Sequence, residues 1–342
     1  METRKVQRLG PSTLAMTLPA QWARDHDVEK GDEVTVRESG KGTLTVTPES
    51  ARGEDSEATI HAESFDADAV ERAIVGQYVL GRRIIHVTSE GTLDSAHINA
   101  VYKAETQLMG LGVIEETPER ITIRCSVDPE DFTLDNLLER LENTGSTMRG
   151  EAIKALAHGN PDLAQRALNR ERQANKIFVL LLRLIFTAYQ NPSLARAVGL
   201  DDGFPLIGYR SVAKNLELTA DNAEDIAEIV LETEGNTLDI DSATMRRIRE
   251  FTDQVDEITS LAVQAVVERD YDLTVEVRTL FHEIGDTESE ILADLPEMDN
   301  DDLLQVREVL VSLQQTAQYA MRNAEIAANL ALNEQSDHTT ID

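Results

Sequence analysis

A chain of 342 residues with 63 acidic and 32 basic side chains carries a formal charge of −31, and 41% hydrophobic content excludes a disordered polymer. The single cysteine, Cys125, excludes an intrachain disulfide and any multi-cysteine metal site. The longest apolar run, Ile177 to Phe186, is half a membrane span and contains Arg183, which excludes membrane insertion and, with no N-terminal signal pattern, predicts a soluble cytoplasmic protein of two or three domains.

The charge is unevenly spread. Residues 1–24 hold Arg4, Lys5, Arg8 and Arg24 against one acid, Glu2, and the first fifty residues sum to −1, so almost all the negative charge follows them. Only 7 of the 32 basic residues are lysine. An acid-rich, lysine-poor chain suits a cytoplasm of very high salt, where carboxylates stay hydrated and repulsion is screened. The rival reading is an acidic surface for a basic partner.

In "STLAMTLP" the apolar Leu14, Met16 and Leu18 alternate, which predicts a half-buried strand. Pro19 opens a short helix, "PAQWARDHDV". "KGDEVTVRESGKGTLTVTPE" predicts a hairpin turning at "ESGKG", with Val34, Val36, Leu44 and Val46 on one side. A fifty-residue unit buries too little core alone, so it is expected to dimerise through its strands.

"ARGEDSE", residues 51–57, is a polar linker. Residues 58–128 then alternate strand, helix, strand, helix, strand, which predicts a small α/β connector domain. "GQYVLGRR" lacks the glycine spacing and lysine of a nucleotide loop.

From residue 132 the apolar spacing is helical, with Pro161, Pro192, Pro205 and Pro296 between helices. Two units follow, 132–236 and 237–334. Each has a long first helix, a second opening at "PDLAQRALNRERQANKIF" or "YDLTVEVRTLFHEIGDTESEIL", and a third rich in alanine and asparagine. That is an internal repeat of antiparallel bundles. In "NLELTADNAEDIAE", Glu217 and Asp221 lie four apart and share a helical face that Glu224, Asp225 and Glu228 continue. Like charges so placed repel unless a cation neutralises them, and oxygen ligands suit hard cations or carboxylate-bridged iron. The bland alternative is a solvated acidic face.

"LELTADNAEDIAE" resembles the signature helix of the PhoU family, in which a Glu/Asp-x-x-x-Asp pair in each of two three-helix bundles binds multinuclear metal clusters. The resemblance, over residues 132–334, implies Glu217 and Asp221 as a ligand pair, with Glu171 a further candidate and iron, zinc or magnesium the metal. Leu218 and Asn222 stand where the family has arginine and histidine. In the second copy, "LQQTAQYAMRNAE", Gln314 and Gln318 replace the carboxylates, and amides bind hard cations poorly.

"RKVQRLGPSTLAMTLPAQWARDHDVEKGDEVTV" resembles the SpoVT–AbrB DNA-binding module: a basic strand, a glycine turn, an alternating strand ending Leu-Pro, a short helix and a "KGDEVTV" strand. The resemblance implies a swapped dimeric barrel over residues 1–50, with Arg4, Lys5 and Arg8 on the first strand and Arg24 on the short helix contacting DNA. Ser12 and Thr13, in the loop, could donate neutral hydrogen bonds to phosphate.

The fold expected is a multidomain α+β protein: a small swapped β-barrel, an α/β linker domain and two antiparallel three-helix bundles. No catalytic spacing is found. The seven histidines are scattered, with no His-Glu-x-x-His, nucleophile elbow or Walker loop, and Cys125 reads as a small core residue. The expectation is a non-enzymatic, homodimeric regulator that binds DNA and controls phosphate uptake, with a phosphate transporter ATPase or a phosphate-signalling protein as further partner. The alternatives are a cytosolic adaptor that regulates a phosphate transporter without touching DNA, and a metal store.

Overall fold

The computed structural model describes residues 3–39, 42–48, 56–190, 194–195, 197–200, 205–232, 240–295, 298–333 and 339. The chain divides into two units, Met1–Ser56 and Glu57–Asp342.

In the first unit, β1 (Gln7–Arg8) pairs antiparallel with β2 (Leu14–Ala15), Arg8 opposite Leu14, and the Leu9 amide donates to the Thr13 carbonyl at 3.0 Å. The strand expected over Ser12–Pro19 is therefore only two residues long, and Leu14 and Met16 stand exposed rather than half-buried. Helix α1 (Ala20–Asp25) starts after Pro19 and ends near Asp27, which takes a left-handed conformation at φ 50°. Strands β3 (Val34–Ser39) and β4 (Thr43–Pro48) form the expected hairpin, with Val36 opposite Val46 and Glu38 opposite Leu44. Gly40 and Lys41 of its turn, and residues 51–55 of the linker, lie outside the described residues. Pro48 is the only described residue of this unit that is buried.

The second unit opens with β5 (Glu57–His61), α2 (Ala67–Val79), β6 (Ile84–Thr88), α3 (Ser95–Gln107), β7 (Leu111–Thr117) and β8 (Arg120–Cys125). The sheet order is β5-β6-β8-β7, with β5 and β6 parallel and the other pairs antiparallel. Strand β7 was not expected. It lies at the sheet edge and ends in exposed Glu115, Glu116 and Thr117, so its sequence carries no long apolar alternation. Ile85, Val87, Ile121, Ile123 and Cys125 are buried in one cluster with Val70 and Ile74 of α2 and Val101 and Ala104 of α3.

Among the described residues seven helices follow: α4 (Leu134–His158), α5 (Pro161–Gln190), α6 (Pro205–Glu232), α7 (Ser242–Glu268), α8 (Tyr271–Glu283), α9 (Thr287–Ala293) and α10 (Asn300–Ala331). Helices α4, α5 and α6 pack on one another, as do α7, α8 and α10, and the sets meet through α6 on α10 and α4 on α7. The repeat is visible in its turns. Gly159 (φ 55°) and Arg269 (φ 52°) both end a long helix in the left-handed region, and the next side chains cap the following helix. Asn160 accepts from the amides of Asp162 and Leu163, and Asp270 from those of Asp272 and Leu273. The single helix expected over Tyr271–Leu292 is instead α8 and α9, broken at Ile284–Asp286. Gly285 there lowers helix propensity by about 1 kcal/mol relative to alanine, and Asp286 begins the next helix. Pro161 and Pro205 are first helical residues; Pro192 and Pro296 lie outside the described residues.

Arg183, the charge inside the longest apolar run, fastens α5 to the end of α2. Its Nη1 donates to the carbonyls of Tyr78 (2.5 Å) and Arg82 (3.0 Å), its Nη2 to that of Gly81 (3.3 Å), and the guanidinium lies 4.8 Å from the Tyr78 ring centroid. The Tyr78 carbonyl also accepts from the Gly81 amide at 3.0 Å, so Arg183 places a cation of the favoured sign at an already closed helix end. Among the described residues no helix is long and apolar enough to cross a membrane.

Candidate functional site

The residues expected to contact DNA all reach solvent. Arg4 and Lys5 precede β1, Arg8 lies in it, Ser12 and Thr13 occupy the turn to β2, and Arg24 sits in the last turn of α1, every one exposed. Arg24 Nη2 donates to Gln21 Oε1 at 2.7 Å, and Gln21 Nε2 donates in turn to Asp25 Oδ1 at 2.7 Å. Lys5, Arg8 and Arg24 make no salt bridge with a described residue. Antiparallel pairing directs Arg8 and its partner Leu14 to one face of the ribbon. The unit thus presents cations beside bare apolar side chains: Val6, Leu9, Leu14, Met16, Val36 and Leu44 are each more than half exposed.

The second feature is acidic. Helical spacing sets Glu217, Asp221, Glu224 and Asp225 along α6, facing Glu171 of α5. Burial, then the Glu217 charge, pushes the Asp221 carboxyl up to about 6, against Lys214 and with Glu171 and Asp225 adding. Burial, then Glu171, Glu228, Asp221 and Asp225, pushes Glu224 up to about 7. Glu171 is raised by burial, opposed by Arg172 and reinforced by Glu217; Asp225 is raised by burial. The cation of this face is one that the sequence reading passed over. Lys214, one turn before Glu217, forms a short ion pair with it and lies 5.5 Å from the Phe178 ring centroid.

Glu217 is occupied by Lys214, and among the described residues no group of three or more His, Cys, Asp or Glu side chains is gathered as metal ligands. In the second copy Gln314 Oε1 is buried without a hydrogen-bond partner among the described residues, and Gln318 is exposed.

Among the described residues two polar seams tie the helix sets together, and no local sequence pattern marks them. Between α4 and α7, Arg149 is fully buried and donates through Nε (2.8 Å) and Nη2 (2.5 Å) to Asp256 Oδ1, while its Nη1 has no partner among the described residues. Glu142, two turns before Arg149, is also buried, and its carboxyl is pushed up to about 7 by burial, against the pull of Arg149 and with Asp256 adding. Between α6 and α10, Asn215 Nδ2 donates to Asn323 Oδ1 at 2.8 Å and Asn222 Nδ2 to Thr316 Oγ1 at 3.1 Å. Asn222, at the family's histidine position, is thus a buried tie between helix sets.

Residues 138–230 match the family model described as the PhoU domain, and residues 7–54 match that described as antidote-toxin recognition MazE, bacterial antitoxin. The first match spans Glu142, Arg149, Glu171, Glu217 and Asp221; the second spans Arg8, Ser12, Thr13 and Arg24. Solved structures similar to this chain include PhoU from Pseudomonas aeruginosa (18% identity, 59% of this chain and 96% of that one, TM-score 0.49). Another is the phosphate transport system regulatory protein PhoU from Streptococcus pneumoniae (16% identity, 60% and 96%, TM-score 0.49). No curated protein matches the chain.

Proposed function

We propose that this chain, which joins an AbrB/MazE-like N-terminal domain to a PhoU domain, is a homodimeric DNA-binding regulator of phosphate-responsive genes. The N-terminal domain is the DNA-contacting part, and the helical body senses an effector or engages a partner such as a phosphate transporter component. One observation carries the reading. In a chain of charge −31, residues 1–24 hold four cations against one acid, and all four, Arg4, Lys5, Arg8 and Arg24, face solvent. An unpartnered polyanion-binding unit under the same salt adaptation would have no reason to escape acidification.

The dimer is supported by the apolar side chains beside those cations. A unit with six large hydrophobic residues exposed, Leu9 at 73% and Leu14 at 65%, needs a second surface to cover them. Two copies would set eight cations toward the phosphates, and in molar salt, where counterion release drives binding weakly, arginine contacts to base edges would carry a larger share. An effector on the helical body would act by preferring one arrangement of the paired N-terminal domains, which requires a coupling of roughly 1–3 kcal/mol.

Genome-wide occupancy of the protein in phosphate-replete and phosphate-starved cells tests class and pathway together. Enrichment at phosphate-import promoters that changes between the two conditions is expected. Occupancy no greater than that of a variant lacking residues 1–50 removes the DNA-binding reading and leaves that of an adaptor acting on a transporter by protein contact.

A further inference from the structure

A cleft of about 500 Å³ lies between α3 and α5, where the α/β segment meets the first helices of the body. Lys103, Thr106 and Gln107 line it from α3, and Glu171, Arg172, Asn175 and Lys176 from α5. The spacings i, i+3, i+4 on one helix and i, i+1, i+4, i+5 on the other turn one stripe of each helix toward the gap. Three cations face one carboxylate there. Two of them are lysines, in a chain that has only 7.

The cations are not consumed by the fold. Arg172 and Lys176 take part in no hydrogen bond or salt bridge with a described residue, and Lys176 is half-buried. Lys103 lies 2.8 Å from Glu71 Oε2, which fixes the ammonium and uses one of its three donors. Gln107 and Asn175 add amide donors, and the volume falls in the range of small-molecule sites, roughly 300–1,000 Å³. The lining side chains carry a net charge of +2, which favours an anionic ligand.

We propose that this cleft binds a small phosphate-type oxyanion, with Arg172 and Lys176 as its principal donors and Lys103 as a positioned third. The chemistry is shared by two sources, free phosphate or pyrophosphate and the phosphates of a nucleotide. The size of the cleft, several times that of a lone phosphate, favours the nucleotide. Glu171 is the selectivity element: its carboxylate opposes bare anions and accepts from a hydroxyl or amine on the body of a larger ligand. The proposal is independent of the DNA-binding reading, since no residue of the first unit enters it.

Isothermal titration of the full chain with inorganic phosphate, pyrophosphate, AMP and ATP, at one fixed KCl concentration, tests it. At least one of the four is expected to bind with a Kd of about 1 mM or tighter, and each of Arg172→Ala and Lys176→Ala to weaken it roughly tenfold. Lys176→Arg, which keeps the charge, is expected to retain binding. Binding of AMP or ATP tighter than of phosphate and pyrophosphate assigns the nucleotide, and the reverse order assigns the free anion. Absence of binding by all four overturns the proposal, as does an affinity that Arg172→Ala and Lys176→Ala leave unchanged or that Lys176→Arg reduces as much as Lys176→Ala does.

Discussion

Glu142 shows how a single buried group can make the stability of this protein depend on pH. Its carboxyl ordinarily titrates at 4.5 and in the fold at about 7, because burial outweighs the nearby Arg149. An acid that holds its proton more tightly folded than unfolded stabilises the fold fully below the unfolded value. That contribution is lost as pH rises through the folded one. Glu142→Gln, which cannot ionise, is therefore expected to match the parent at pH 4 and to exceed it by about 1–2 kcal/mol at pH 8 in denaturant unfolding. Parallel pH profiles for the two proteins would contradict this role. Arg149 and Asp256 lie 107 residues apart, so no local pattern could have joined them. Glu217 and Asp221, by contrast, were legible, because their relation is a spacing on one helix. Their neutralising partner Lys214 lies on the same helix three residues earlier and could have been read with them.

At the scale of elements, α6 approaches α10 closely where Gly208 replaces a side chain with space. A Cβ at position 208 would lie 3.0 Å from Ile326 Cγ2. Gly208→Val is expected to force the helices apart and to cost about 1–3 kcal/mol, measured as a lowered unfolding midpoint. An unchanged midpoint would mean that the seam is looser than its Asn215–Asn323 and Asn222–Thr316 bonds imply. The N-terminal ribbon supplies a second prediction. Leu14→Asp with Met16→Asp should turn the proposed dimer into a monomer in sedimentation while far-ultraviolet dichroism keeps its helical signal, because the long helices belong to the other unit. A dimer that survives the change would put the interface elsewhere. Helices were readable from their apolar period, while the caps at Asp241, Asp270 and Asn160 are seen in the structure. Edge strand β7 was not, since one side of it and its end meet water. The break between α8 and α9 was marked by Gly285 and Asp286, but amphipathic spacing ran across it.

For the molecule as a whole, charge distribution is the property that suggests the proposed function, since it needs only counting. Residues 1–24 are net positive and the chain beyond residue 50 carries −30. The meeting of α3 with α5, and of α4 with α7, depends on how distant helices stack, and no sequence pattern announces it. Acidity on this scale also sets the conditions under which function must be measured, because repulsion among unscreened carboxylates opposes compactness at low ionic strength. Stability of the parent should accordingly rise with KCl up to molar concentration, and a midpoint that falls with salt would contradict the reading of its surface. The central claim, that the exposed cations of the first unit dock on DNA, meets its most direct test in one titration. Fluorescence anisotropy with labelled duplex fragments recovered from occupied promoters, in molar KCl, compares the parent with Arg8→Glu combined with Arg24→Glu. The parent is expected to bind and the variant to lose at least a hundredfold in affinity, about 2.7 kcal/mol, while light scattering still reports a dimer. Equal binding by the two proteins would contradict the account.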